Sequence, residues 1–379
     1  MYFSWVIAWA MAEPPVVPDS SDGATEAAPT EPTPSELRAR IEALEREILE
    51  LQLTAALQPA PTQGSAGRAS FNALNPGITA YGDLVGQAGI VDGGLSRGST
   101  LYLRSLELEL RADVDPYAKA DAVIAWEQEP PPLEGGPGEG FGSEPEEVYV
   151  DLVALPLRLS ARIGKFRVPF GLVNRSHPHD LPWVDAPELL GEEGYNDSGA
   201  VLGWLLPLGP AGLTLTGGAL SGEPFDPDGS RANLAGLGRA ELFVGAGDVG
   251  FSLGGSTIAD IGASPTTGAP YLGGDLSLRW RPSTQRSVIV MAEVVDAEAA
   301  MAAYAALQVQ FARMWTAGLR QDLGAGSSRT GVYLTGYTSE FFRVRLGGGF
   351  DPESGAVDVL SQLTFIWGSH PVEPWWVNR

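Results

Sequence analysis

The chain has 379 residues, no cysteine and a formal net charge of −23. The lack of cysteine excludes disulfides, thiolate metal sites and cysteine catalysis. The negative charge argues against nucleic acid as a partner, because contacts to phosphates need basic side chains. Charged residues make up only 19% of the chain, which is low for a water-exposed surface and fits an outer face that contacts lipid.

The N-terminal residues predict an exported protein. Residues 1–12 are apolar and aromatic and end in Ala10-Met11-Ala12, which fits a signal-peptidase site. The basic residues that normally open a signal peptide are missing, since the first Lys or Arg is Arg38. We interpret the segment as a signal peptide with a truncated start; a short hydrophobic N-terminus is the alternative. Residues 13–35 are rich in Pro, Ala, Thr and acids, and are predicted to be disordered.

A short helix is predicted over residues 36–57. Thr33 and Glu36 form a capping-box pattern with Pro34 between them. Apolar residues then recur at heptad spacing and form a coiled-coil seam of Leu37, Ile41, Leu44, Ile48 and Leu51. The seam covers under three heptads, so it predicts either a self-associating coiled coil or a lone amphipathic helix. Residues 58–70 follow as a linker.

Residues 71–367 repeat one pattern, about ten residues of alternating apolar and polar side chains followed by a turn, and Leu106 to Arg111 is an example. No window holds the apolar run of a membrane-spanning helix. A membrane protein with this pattern must be a closed barrel, because open strand edges cannot be satisfied in hydrocarbon. The predicted fold class is therefore all-β, a transmembrane antiparallel β-barrel of about 16 strands, preceded by the coiled-coil helix and followed by a tail, 368–379. The candidate strands are 77–87, 100–113, 116–127, 147–157, 158–170, 197–207, 211–221, 234–246, 248–259, 270–282, 285–296, 300–313, 314–324, 328–338, 340–350 and 356–367.

The connections between these strands indicate which way the barrel sits in a membrane. An even strand number returns both termini to one side, as in bacterial barrels of a single chain. If the N-terminal segment is periplasmic, the tight turns fall on that side. The longer connections then fall outside the cell, at 88–99, 128–146, 171–196, 222–233 and 260–269. We therefore predict a bacterial outer-membrane location.

Charged side chains within the strands are expected to face the barrel interior. An Arg or Lys that faces lipid at the bilayer midplane costs about 2–4 kcal/mol. The predicted pore-lining residues are Lys119, Asp121, Arg162, Lys165, Arg167, Arg239, Glu241, Arg279, Arg281, Arg320, Arg343 and Arg345. Arg162 and Lys165 have opposite parity along their strand, so a bulge is expected at Gly164. The alternative is a charge network that holds the barrel wall without selecting solutes.

One stretch resembles a known family. Gly164-Lys165-Phe166-Arg167-Val168-Pro169-Phe170-Gly171 resembles the Gly-x-Phe-Lys/Arg-x-Pro-Phe-Gly strand end of the phosphate-selective porin O/P family of bacterial outer-membrane porins. The resemblance implies a homotrimer of sixteen-stranded barrels, whereas Ile at a and Leu at d of the coiled-coil seam lean towards a dimer. It also implies passive diffusion of small hydrophilic solutes or ions through a lumen constricted by the third external loop. In this chain that loop is 171–196, and its candidate constriction residues are His177, His179, Asp180, Trp183, Asp185 and Glu188.

Other chemistry is less well supported by the sequence. His177, His179 and Asp180 are possible metal ligands, but the third histidine is the distant His370, so no metal site and no cofactor are predicted. No residue has the setting of a catalytic nucleophile, so an enzyme is not expected. The expected partners are outer-membrane lipid, further copies of the chain, and small solutes or ions. The alternative function is a structural or adhesive barrel that anchors the coiled coil and transports nothing.

Overall fold

The computed structural model describes residues 77–91, 94–95, 98–128, 142–153, 155–187, 189, 194–222, 234–261, 270–283, 285–297, 300–324, 327–339 and 341–368. Residues 1–67 and 68–379 form separate units, and all described residues belong to the second. The predicted signal peptide, disordered segment, coiled-coil seam and linker lie outside the described residues, as do Glu188 and the tail after Gly368. No helix in the described part of the chain is long and apolar enough to span a membrane.

The described residues form one antiparallel sheet of sixteen long strands and one two-residue strand. Each long strand pairs with its neighbours in the chain, and the first pairs with the last from Thr79 opposite Gly368 to Ile90 opposite Val357, which closes the barrel. The strands are β1 (Gly77–Val91), β2 (Gly94–Leu95), β3 (Thr100–Asp115), β4 (Ala118–Glu127), β5 (Gly142–Leu152), β6 (Leu159–Arg167), β7 (Asn196–Leu208), β8 (Ala211–Leu220), β9 (Ala235–Ala246), β10 (Val249–Asp260), β11 (Tyr271–Ser283), β12 (Arg286–Ala297), β13 (Ala300–Ala312), β14 (Trp315–Gly324), β15 (Ser327–Ser339), β16 (Phe342–Phe350) and β17 (Val357–Gly368). The predicted all-β barrel of sixteen strands is confirmed.

The strand bounds agree with the alternation pattern to within two residues except at β5 and at the ends of β1 and β6. Alternation predicts a strand over 147–157, whereas β5 runs from Gly142 to Leu152. Its first residues include Glu144, Pro145 and Glu146, which the sequence places in the acidic connection 128–146. Pairing with β4 extends the strand into them, because hydrogen bonds to an existing strand outweigh weak local propensity.

The connections are short at one end of the barrel and mostly longer at the other. The short ones are 116–117, 153–158, 209–210, 247–248, 284–285, 313–314 and 340–341. The connections at the opposite end are 92–99, 128–141, 168–195, 221–234, 261–270, 298–299, 325–326 and 351–356. The alternation of short and long connections thus follows the predicted sorting, which weakens after β12.

Side chains alternate between a polar interior and an apolar exterior. In β16, Arg343 and Arg345 are 1% and 0% exposed, while Leu346 is 54% exposed. In β11, Leu278 and Trp280 are exposed. A soluble protein would bury these apolar side chains, so the outer face has the polarity of a surface in contact with lipid.

Two predictions about β6 are wrong. Gly164 pairs in regular register with Tyr149 on one side and Gly199 on the other, so no bulge lies there. A Cβ atom at Gly164 would lie 2.1 Å from the Val148 carbonyl oxygen, and its φ is 140°, so the position needs glycine for close strand approach. Lys165 lies between Val148 and Ser198, which are both exposed, so it is on the outer face and is not a pore-lining residue.

A bulge is present on the neighbouring strand, β5. Val123 of β4 lies opposite Glu147, and the next residue, Ile124, lies opposite Pro145, which leaves Glu146 as the extra residue. A bulge redirects side chains that would otherwise alternate between faces. As a result, the consecutive side chains of Glu146 and Glu147 are both buried in the barrel.

Candidate functional site

The segment 168–195 connects β6 to β7, and we call it the inward loop, because its described residues, 168–187, 189, 194 and 195, enter the barrel. Apolar side chains hold it against the wall: Phe170, Trp183 and Val184 are buried with Met291 and Tyr304. The rings of Trp183 and Tyr304 meet edge to face at 5.3 Å. This contact between the loop and β13 places the loop across the interior, far in sequence from the strands it touches.

Arginines of the wall bind the loop backbone. Arg345 donates to the Trp183 carbonyl oxygen at 2.6 Å, and Arg343 donates to the carbonyl oxygen of His179. Arg104 of β3 donates to the Val184 carbonyl oxygen. Loops leave backbone acceptors unpaired, and a loop inside a protein must satisfy them. The buried guanidinium groups supply these donors.

Asp185 is the loop's strongest side-chain contact with the wall. Its carboxylate accepts hydrogen bonds from Arg320 at 2.5 Å, Arg329 at 2.8 Å and Tyr333 at 2.8 Å. Burial raises the pKa of Asp185, but Arg320 and Arg329 outweigh this effect, so the pKa lies below its usual value. The carboxylate is therefore charged over the physiological pH range.

The other end of the loop bonds to β12 and to the loop's own backbone. The amides of Leu172 and Val173 donate to Glu293 at 3.1 and 3.2 Å. Asn174 donates to the carbonyl oxygens of Val168 and Tyr195, which joins the start of the loop to its end. The loop is thus attached at several points and is not a free flap.

A cavity of about 540 Å³ remains between the inward loop and β3 to β8. Its lining includes the carboxylates of Glu107, Glu109, Asp121, Glu147, Asp151 and Asp180 and the guanidinium groups of Arg111, Arg162, Arg167 and Arg175. Most of these charges are paired across strands: Arg111 with Asp121 at 2.8 Å, and Arg162 with Asp151 at 2.7 Å. The lining therefore presents both signs of charge to water.

Two histidines of the loop meet acidic residues of the wall at one edge of this cavity. His179 Nδ1 lies 3.0 Å from Glu107 of β3, and His177 Nε2 lies 3.2 Å from Glu147 of β5. We call Glu107, Glu146, Glu147, His177 and His179 the histidine–glutamate cluster. The imidazole rings stack at 5.4 Å, and His179 also stacks on Tyr81 at 4.7 Å.

The acidic neighbours control the charge of both imidazoles. Burial lowers the pKa of His177, but Glu146 and Glu147 outweigh it and raise the pKa well above its usual value. Burial likewise lowers the pKa of His179, and Glu107 and Asp180 reverse this effect and raise it. Both imidazoles therefore favour a positive charge.

The structure places the other predicted pore-lining residues at different depths. Arg239 is buried and pairs with Asp275 at 2.6 Å, and Glu241 pairs with Arg175 of the loop at 3.1 Å. Lys119 is exposed near a short turn, 3.7 Å from Asp113. Arg279 and Arg281 of β11 are both partly buried.

Sequence reasoning missed the acidic half of the histidine–glutamate cluster. Glu107 lies in the alternating stretch Leu106 to Arg111, and the same parity rule that was applied to the arginines predicts an inward Glu107. Glu146 is different, because only the bulge turns it inward. No sequence pattern marks that bulge.

These observations define the class of the molecule: a closed sixteen-stranded antiparallel β-barrel with an apolar exterior, a polar interior and a long internal loop. Solved outer-membrane barrels share this fold. Pseudomonas putida OprB is 10% identical with a TM-score of 0.53, over 80% of this chain and 96% of that chain. Salmonella typhi OmpF, solved with daunomycin, is 9% identical with a TM-score of 0.53, over 76% of this chain and 97% of that chain. At these identities the likeness shows the fold.

The outer membrane channel DcaP of Acinetobacter baumannii also matches, at 10% identity and a TM-score of 0.47, over 77% of this chain and 98% of that chain. No protein-family model matches the chain. An uncharacterized protein of Aquifex aeolicus (strain VF5) is 30% identical over 179 residues, which is 45% of this chain. The match spans 35% of that relative's length.

Proposed function

We propose that the chain is a bacterial outer-membrane porin through which small hydrophilic solutes or ions diffuse passively. One observation carries the proposal: a cavity of about 540 Å³ with charged walls lies inside a closed barrel whose outer face is apolar. Charged groups that face a cavity keep it hydrated, and hydrated solutes can replace that water. The fold shared with OprB and OmpF supports the same conclusion.

The inward loop is proposed to constrict the pore. It occupies the side of the lumen next to Arg320, Arg343 and Arg345, and these guanidinium groups are almost fully buried beneath it. The route left for solutes is then the side lined by β3 to β8. The charged side chains that are buried under the loop hold it in place. The charged side chains that face the cavity are the ones that contact solutes.

The packing of the inward loop also favours a second candidate, a structural barrel with a plugged lumen. Phe170, Leu181 and Trp183 are buried against the wall as they would be in a hydrophobic core. A loop packed this tightly would serve a barrel that only anchors the N-terminal segment. The two candidates differ in one measurable property, the passage of ions.

Conductance in a planar lipid bilayer distinguishes them. The full chain, folded in detergent and inserted into the bilayer, is expected to give stepwise currents. A folded sample that inserts but stays silent would overturn the porin proposal and leave the plugged barrel. Folding is checked separately by the heat-dependent migration of the barrel on a denaturing gel, so that a silent sample is not a misfolded one.

Several finer predictions belong to this proposal. They are a homotrimer, a periplasmic N-terminal segment and membership of the phosphate-selective porin O/P family. The trimer is tested by sedimentation of the detergent-solubilised chain. The orientation is tested on intact cells by labelling single cysteines introduced at Asp248 and at Glu353. The cysteine at Glu353, at the predicted external end, should react, and the cysteine at Asp248, in a predicted periplasmic turn, should not.

A further inference from the structure

The histidine–glutamate cluster has the composition of a metal site, although the sequence alone lacks a third ligand beside the two histidines. The fold supplies that ligand from a distant strand. Glu107 Oε1 lies 3.0 Å from His179 Nδ1, and Glu107 Oε2 lies 3.7 Å from His177 Nδ1. One ligand atom from each of the three residues lies within 4.8 Å of the others. Ligand atoms of a tetrahedral zinc site are about 3.3 Å apart, given bonds of about 2.0–2.1 Å.

We propose that Glu107, His177 and His179 bind one divalent transition-metal ion of the zinc or copper type, which joins the inward loop to β3. Imidazole nitrogens with a carboxylate oxygen suit these ions, whereas Mg²⁺ and Ca²⁺ prefer oxygen ligands alone. Three protein ligands leave one coordination position, and all three residues line the cavity, so water can fill it.

The groups around the three ligands support metal binding independently. A histidine that binds a metal usually donates its second ring nitrogen to a carboxylate, which orients the ring. His177 Nε2 lies 3.2 Å from Glu147, and His179 Nε2 lies 3.5 Å from Asp180. In each case the nitrogen that faces away from Glu107 already has this acidic partner.

Unsatisfied atoms in the cluster point to the same conclusion. Among the described residues, His177 Nδ1 and Glu146 Oε2 are buried without a hydrogen bond. The Glu146 side chain is 9% exposed, and it is aimed at His177, with its Oε1 atom 3.2 Å from Nδ1. Burying polar atoms without partners costs free energy. A metal ion at Nδ1 would satisfy the first of these atoms and place a positive charge beside the second.

The charges of the cluster match a divalent ion. Glu107, Glu146 and Glu147 contribute three negative charges, and Arg167, which bonds Glu146, contributes one positive charge. A metal ion displaces the protons that these imidazoles carry, because only a neutral imidazole can bind it, and with neutral imidazoles the balance is two negative charges. A divalent cation neutralises them, which favours its binding in this partly buried place.

Rigid neighbours hold the ligands in place. Arg343 binds the His179 carbonyl oxygen, Tyr81 stacks on the His179 ring, and Pro178, the first residue of the turn Pro178–Asp180, separates the two histidines. Glu107 lies within β3, paired with β1 and β4. Ligands on a strand and on an anchored loop need only small side-chain rotations to close around an ion.

Zinc titration of the full folded chain in detergent tests the proposal, with a chromophoric chelator as competitor. One Zn²⁺ per chain is expected, with binding lost in His177→Ala, His179→Ala and Glu107→Gln. The matched control is His370→Ala, which removes the third histidine of the sequence and should leave the affinity unchanged. Glu147→Gln should weaken binding by about 10–100-fold, the usual effect of losing a carboxylate behind a histidine ligand.

A spectrum provides a second readout in case a variant folds poorly. Co²⁺ added to the wild-type chain should give the visible absorption bands of a tetrahedral site, and Zn²⁺ should abolish them. No zinc binding by the folded wild type, or equal binding by the His177→Ala/His179→Ala double variant, would overturn the proposal. Loss of binding in His370→Ala would do the same.

The proposed metal site and the proposed porin function are tested by independent measurements. Zinc binding is measured in detergent without any current, so a silent barrel that binds zinc contradicts only the porin proposal. A conducting barrel that binds no zinc contradicts only the metal site.

Discussion

At the scale of single residues, arginine is the main contact between the barrel wall and the inward loop. Arg345, Arg343 and Arg104 each donate to a loop carbonyl oxygen, and Arg320 binds the carboxylate of Asp185. Guanidinium suits this role because it has five donors in a fixed plane and stays charged when buried. Removal of a loop acceptor leaves a buried positive charge behind, which is costly.

Asp185→Asn should loosen the inward loop. Arg320 and Arg329 would lose their shared carboxylate, although Arg320 keeps Asp322 at 2.8 Å and Arg329 keeps Asp358 at 2.6 Å. We expect a cost of about 1–3 kcal/mol to loop anchoring, the range for a charged hydrogen bond in a partly buried site. Faster amide hydrogen exchange over residues 181–187 is the measurement. Asp248→Asn, in an exposed turn, is the control and should leave that exchange unchanged.

The same carboxylate predicts a loss of loop anchoring in acid. The folded-state pKa of Asp185 is lowered, so its contribution is present above the usual Asp pKa and is lost as the pH falls through the lowered value. The groups that face it are Arg320 and Asp322 from β14 and Arg329 and Tyr333 from β15. Pepsin digestion on a descending pH series should show cleavage within the loop only below pH of about 3.8. If the difference in loop cleavage between Asp185→Asn and wild type is the same at every pH, titration of Asp185 does not control loop anchoring.

At the scale of elements, the alternation of each strand assigns one face to lipid and one to water. Because β16 carries Arg343 and Arg345 on one face and Val344 and Leu346 on the other, a reversal of its register would expose two arginines to lipid. The free-energy cost of that exposure fixes the register of the strand and therefore the face on which each side chain lies. The bulge in β5 interrupts the rule once, and there it turns Glu146 towards the loop histidines.

A charge on the lipid-facing side should destabilise the barrel according to depth. Leu346 lies in the middle of β16 and Phe341 lies in the turn before it. Leu346→Arg should lower the free energy of unfolding in lipid vesicles by about 2–4 kcal/mol, and Phe341→Arg by about 0–1 kcal/mol. Urea or guanidinium unfolding followed by tryptophan fluorescence measures both. Equal costs at the two positions would contradict contact between this face and a bilayer.

The pairing of β3 with β4 predicts which charges select ions. Arg111 contacts both Glu109 and Asp121 at the edge of the cavity. Glu109→Gln combined with Asp121→Asn would leave the guanidinium without its carboxylates, so the reversal potential in a salt gradient should move towards anion preference. Glu353→Gln, in an exposed turn, serves as the matched control. An unchanged reversal potential in the double variant would show that solutes pass elsewhere.

At the scale of the whole molecule, we propose that the inward loop narrows a wide barrel. Sixteen-stranded barrels leave an aqueous channel, and here the loop packs into it against β8 to β10, β12, β13 and β15. The wall beneath the loop is polar, with Gln362, Thr364 and Arg345 buried. The same wall also carries Met291 and Tyr304, which the loop covers, so the loop contacts both polar and apolar parts of the interior.

Replacement of residues 172–194 by a short Gly-Ser linker should therefore raise the single-channel conductance of a barrel that still folds. The control replaces the exposed residues 352–355 of the turn after β16 with two residues, at the same end of the barrel, and should leave the conductance unchanged. Conductance that appears only after loop replacement would support the plugged barrel. An equal conductance with and without the loop would contradict its role as the constriction.

The sequence by itself determined the barrel, because the alternation of side chains and the energetic cost of charge in lipid are local properties of each strand. It also determined that Arg320, Arg343 and Arg345 point inward, by parity. The tertiary structure decided what these arginines bind, since a loop can follow many paths and only packing against the barrel wall selects one. It also brought Glu107 to His177 and His179, because residues that are about seventy positions apart meet only when the loop enters the closed barrel.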